Sequence, residues 1–167
     1  MSARPVRRLA LAVAVALHVV AAPVVEAAAK DRRAPCESDG GARAARFGPD
    51  AHVQVEGAGD DGRRHPGHRF SPRRVADLVV VVKWTHVDTA HTQRLALIAP
   101  DGTVYRSTTA LVSPEGAFAR QATVETVVPV RGTWIVDYNL YGGWCAEVYI
   151  DGTAEPVARR SFLIAPR

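Results

Sequence analysis

His86, Asp88 and His91 fall within six residues of the stretch 83–92, KWTHVDTAHT. Imidazole nitrogens with a carboxylate are donors that zinc and related divalent ions accept. On a continuous strand His86 and Asp88 would share one face and His91 the other, so the three converge only if the segment bends as a loop. Three ligands and an open position would suit a small metal-dependent hydrolase. A simpler demand is met by the same residues, because the link between two apolar runs must be polar, and Asp and Thr supply turn chemistry without any metal. His65 and His68 (HPGH) could add ligands only if their own loop folded over this one.

Other chemistry is less well supported by spacing. Asp137, Glu147 and Asp151 could pair as acid and base across neighbouring strands, but outward or turn carboxylates are the ordinary explanation of their alternation. Neither G-x-S-x-G nor H-E-x-x-H occurs. Gly57 to Gly62 (GAGDDG) has the glycine spacing of a dinucleotide loop, yet Arg-Arg-His-Pro-Gly follows instead of a helix, and Asp60 and Asp61 would repel phosphate. Among the aromatics, Trp134 and Trp144 are assigned to the core. Tyr138, Tyr141 and Tyr149 are left as surface contacts for a protein or a sugar, since such rings combine area with a polar handle.

These residues must be positioned by a chain whose first 29 residues look like a leader. Arg4, Arg7 and Arg8 precede the apolar run Leu9 to Ala22, and Ala27-Ala28-Ala29 offers a cleavage pattern. Fourteen residues, apolar except for His18, are too few for a membrane span of about 20. Without that segment the basic residues fall from 21 to 18 and the acidic from 17 to 16, so the net charge drops from +4 to +2. A near-balanced chain gives no reason to expect nucleic acid, which demands concentrated cations. The richest basic stretch, Arg63 to Arg74, is broken by prolines and a glycine and is expected to be a solvated loop. Export would place Cys36 and Cys145 in an oxidising compartment, where a disulfide is expected.

After an irregular arm at 30–51, a domain at 52–167 shows β-branched and aromatic runs separated by turns. The expected strands are His52–Glu56, Asp77–Trp84, Gln93–Ala99, Val104–Thr108, Ala122–Val130, Trp134–Tyr138, Trp144–Ile150 and Ser161–Ile164, with 109–121 as a loop. The Asp77–Trp84 run, DLVVVVKW, is too continuous in valine to face water on both sides. Asp101-Gly102 marks a hairpin. No segment after residue 30 holds an apolar helical period for three turns. Seven or eight short strands with regular turns indicate an antiparallel β-sandwich. Alternation in Trp144, Ala146, Val148 and Ile150 points that row inward, which puts Cys145 on the outer side with Glu147 and Tyr149.

The Pro-Asp-Gly turn at 100–102, Gly-Thr-Trp at 132–134, Trp-x-x-Glu-Val-Tyr-Ile-Asp-Gly at 144–152 and the terminal Ser-Phe-Leu-Ile resemble bacterial secreted immunoglobulin-like or macroglobulin-type β-sandwich modules over residues 70–165. The turns are also similar to those of jelly-roll domains attached to secreted proteases. The first resemblance implies spacers, adhesive units or protein-binding domains, with no shared catalytic residues. The expected protein is therefore a periplasmic or secreted, non-enzymatic module without cofactors. Its expected partner is another protein of the cell envelope, with a carbohydrate ligand as the alternative and no membrane contact once the leader is removed.

Overall fold

The structure, a computed structural model, describes Cys36, residues 48–116 and residues 119–166. The expected leader at 1–29 and most of the arm at 30–51 lie outside the described residues. The elements are β1 (Asp50–Ala58), β2 (Arg64–Pro66), β3 (Arg69–Phe70), β4 (Asp77–Thr85), β5 (His91–Ile98), β6 (Val104–Val112), β7 (Gln121–Pro129), α1 (Trp134–Asp137), β8 (Gly142–Ile150) and β9 (Ala158–Ile164). One sheet has the order β2-β1-β4-β7 and the other β3-β9-β8-β5-β6. All pairings are antiparallel except β3 with β9. An immunoglobulin-like sandwich has this order: the B and E strands are adjacent in one sheet (β4, β7), and C, F and G lie together in the other (β5, β8, β9).

Alternation explains which side chains fill the space between the sheets. Leu78, Val80, Val82 and Trp84 of β4 meet Leu95 and Leu97 of β5, Trp144, Ala146 and Val148 of β8, and Phe162 of β9 in one buried cluster. The valine run is buried on its other face as well. Val79 and Val81, exposed by only 2% and 4%, form a second cluster with Ala58. Part of their cover is an ion pair, Arg64 Nη1 to Glu125 Oε2 at 2.8 Å. Because β2 and β7 flank β1 and β4, that pair must cross the outer face of the sheet, laying the Arg64 stem over the valines.

The Asp-Gly hairpin forms as expected. Ala99 and Thr103 close it, Gly102 takes φ +81°, and Asp101 Oδ1 accepts from the Thr103 amide at 2.9 Å and its hydroxyl at 2.7 Å. Cys36 and Cys145 are joined, with Cα atoms 5.5 Å apart. Cys145 lies outside the core cluster, in the row with Glu147 and Tyr149.

Three expectations change. Residues 134–138 are not a strand: Trp134–Asp137 is one turn of helix, with Thr133 Oγ1 accepting from the Ile135 amide. Here β-branched residues lose to tertiary context, because the chain must cross from the sheet of β7 to that of β8. Ile135, fully buried, plugs the core while Trp134 is turned out and 68% exposed, contrary to its assignment to the core. Strand β6 continues to Val112, four residues past the expected end, pairing with β5 as far as His91. The basic stretch also contains two short edge strands, β2 and β3, which carry the chain from one sheet to the other.

Candidate contact surface

The loop between β4 and β5 is fastened at its centre. Val87 is fully buried, and its amide donates to the Arg120 carbonyl at 3.1 Å. Burial of Val87 leaves His86 and Asp88 pointing outward on either side of it, with His86 in the left-handed region at φ 58°. Asp88 is gripped by Arg120 through two bonds, 2.5 Å from Nε and 2.6 Å from Nη2. The guanidinium holds this carboxyl below the usual carboxylate range.

His91 turns to a different partner. Its Nδ1 lies 2.7 Å from Asp151 Oδ2, and Asp151 Oδ1 accepts from the Thr92 amide at 2.9 Å. A carboxylate has no proton to give, which assigns a ring proton to Nδ1, while Nε2 lies 3.4 Å from the Thr89 hydroxyl. The Thr92 amide, and after it His91, hold the Asp151 carboxyl below its ordinary range. Among the described residues no three His, Cys, Asp or Glu side chains are grouped to hold a metal. Asp88 and His91 belong to two separate pairs, and the loop does not bring the three together. Arg120 and Asp151 stand 32 and 60 residues from their partners, so local spacing carried no sign of either.

The three tyrosines have three different environments. Tyr149 lies on the outer face of β8 with the Arg94 guanidinium 3.7 Å above its ring. Its hydroxyl donates to Glu147 Oε2 at 2.7 Å, and Arg159 Nε donates to Glu147 Oε1 at 3.1 Å. Burial, then the Glu147 contact, pushes the Tyr149 phenol up. Tyr141 is half-buried against the core. Tyr138 alone stands out, 67% exposed.

The neighbour of Tyr138 is Trp134, one helical turn earlier, with ring centroids 5.6 Å apart and planes at 65°. A spacing of i, i+4 on a helix was the signal for this pair, hidden because the segment resembled a strand. Beside Trp134 runs a groove of about 370 Å³ lined by Tyr105, Arg106, Val128, Pro129 and Thr133. It lies between β6 and β7, each the last strand of its sheet. Arg106 on the edge strand bridges them, Nη1 donating to the Val127 carbonyl at 3.2 Å.

The glycine motif 57–62 ends β1 and forms the turn into β2, closed by Gly62 N to Gly59 O at 3.0 Å and Gly59 N to Arg63 O at 3.2 Å. No helix N-terminus follows that could receive a phosphate. Asp60 is held instead by Arg131, with 2.7 and 2.8 Å contacts.

No family model matches the chain, and no curated protein matches it. Among solved structures it is similar to an immunoglobulin-like protein from Pseudomonas aeruginosa, at 13% identity and a TM-score of 0.37, over 72% of this chain and 99% of that one. The strand order described above is what makes this chain an immunoglobulin-like β-sandwich.

Proposed function

We propose that the chain is an exported, non-catalytic β-sandwich module that acts by contacting another protein of the cell envelope through the Trp134–Tyr138 surface. One observation carries the reading: two large aromatic side chains stand exposed on a turn that is anchored by the fully buried Ile135 and capped by Thr133. Exposed rings on a rigid mount lose little freedom on binding, and tryptophan, tyrosine and arginine dominate contact energies. Arg106 and the apolar groove lie next to them. The basic and apolar run at 4–22 and the Cys36–Cys145 disulfide support export, and no helix among the described residues is long and apolar enough to cross a membrane.

The alternative, a carbohydrate module using Tyr138, Tyr141 and Tyr149, has less support. Arg94 covers one face of Tyr149, Tyr141 packs into the core, and the edge-on Trp134 and Tyr138 rings present no shared flat platform for a sugar. The hydrolase reading through His86, Asp88 and His91 lacks the convergence it requires.

The test is recovery of native complexes from envelope extract by tagged wild type and by Trp134→Ala with Tyr138→Ala, quantified by mass spectrometry. A protein enriched about tenfold or more by the wild type over the double variant is expected, since one hot-spot contact is worth about 2 kcal/mol. Equal recovery by both forms, or glycan-array binding lost with Tyr141→Ala, would overturn the reading.

A further inference from the structure

We propose a second binding surface: the cleft where the chain passes from β2 to β3 takes an acidic, extended peptide segment of a partner protein. This surface shares no lining residue with the groove beside Trp134, so it goes beyond the reading above and can fail separately from it.

The cleft has a volume of about 670 Å³, within the range of sites that enclose a ligand. Its floor is apolar. Phe70 and Val75 pack onto Gly57 so closely that a Cβ there would fall 2.5 Å from Val75 Cγ1 and 2.9 Å from Phe70 Cδ1. One wall, the Ser71–Val75 turn, is fixed by Arg74 N and Val75 N donating to the Ser71 carbonyl at 2.9 and 3.0 Å. Arg131 pins that wall to the opposite one, its Nε donating to the Pro72 carbonyl at 3.1 Å while Nη1 holds Asp60. The cleft is therefore preformed.

Its charges do not cancel. Both lining carboxylates already have partners, Asp60 with Arg131 at 2.7 Å and Asp61 with Arg63 at 3.5 Å. Arg69 and Arg74 also line the cleft, and among the described residues neither has a carboxylate within ion-pair distance. Two arginines lining a cleft with an apolar floor, and without a carboxylate partner among the described residues, are complementary to carboxylates alternating with apolar side chains. The flanking elements select an extended form: β2 and β3 are the outermost strands of their two sheets, and among the described residues one side of each is unpaired.

Calorimetric titration of the whole protein with two synthetic octapeptides, one alternating Glu and Val and the other alternating Lys and Val, tests this. The Glu-Val peptide is expected to bind and to shift the amide resonances of Gly59, Gly67 and Val75. Affinity should fall about tenfold or more in Arg69→Ser with Arg74→Ser, partly return in Arg69→Lys with Arg74→Lys, and stay unchanged in Trp134→Ala. Equal binding of the Lys-Val peptide, no binding of either, or shifts confined to other residues would overturn the proposal. Glutarate displacing the peptide at the peptide's own affinity would also overturn it, by showing a site for small anions only.

Discussion

Trp84 donates its indole N–H to Gln93 Oε1 at 2.7 Å, linking the two sheets inside the core. Both residues are 1% exposed, and Gln93 is the one buried polar residue among the described residues. A buried carbonyl deprived of its donor costs about 1–3 kcal/mol. Trp84→Phe is therefore expected to lose that much beyond the effect of the smaller ring. Trp84→Phe combined with Gln93→Leu should be less destabilised than the sum of the single changes, by about 1 kcal/mol or more. Urea unfolding of the four proteins measures the coupling, and strictly additive changes would show that the bond contributes nothing.

The Arg64–Glu125 pair is expected to act through cover more than through charge. If the Arg64 stem shields Val79 and Val81, Arg64→Ala should lower Tm more than Glu125→Gln, and Arg64→Met should recover most of the loss. Equal losses from Arg64→Ala and Glu125→Gln, without rescue by methionine, would assign the effect to the ion pair.

Asp151 makes stability depend on pH in a known direction. Its carboxyl is held below the ordinary value of 3.8 by the Thr92 amide and by His91. A depressed acid contributes stability that is present above the unfolded-state pKa and is lost as pH falls through the folded one. The Tm advantage of wild type over Asp151→Asn should hold at pH 5–6 and shrink as pH drops below about 4. Asparagine suits the comparison because Asp151 has φ 46°, a conformation that Asn also tolerates. A gap constant down to pH 2 would contradict the assignment.

Reduction of the disulfide should be costly. The bond closes a sequence separation of 109 residues, worth roughly 4 to 5 kcal/mol in the chain-entropy model. Cys36→Ser with Cys145→Ser should unfold at a clearly lower urea concentration than the oxidised wild type, and coincident curves would contradict the estimate.

Much of this fold was legible because strand alternation is a local property. The DLVVVVKW run is a strand whose valines are buried, the Asp-Gly hairpin closes where expected, and the row Trp144, Ala146, Val148 faces inward with Cys145 opposite. What local pattern could not show was pairing over distance. Arg120 takes Asp88 and Asp151 takes His91, so a cluster that resembled one site in sequence is divided between two separate hydrogen-bonded pairs. Ile135 and Val136 gave the 134–138 segment a strand-like composition, while the Thr133 cap and the crossing between sheets made it a helical turn. That one difference moved Trp134 from the core to the surface and with it the candidate contact site.

The central claim, that this protein works through the Trp134–Tyr138 surface, is tested most directly by placing a photo-crosslinking amino acid at Tyr138 in cells that make the protein. A single protein adduct that disappears in Trp134→Ala, and is absent when the crosslinker sits at Arg159 on the outer face of β9, is the expected result. No adduct at Tyr138, or the same adducts from both positions, would contradict it.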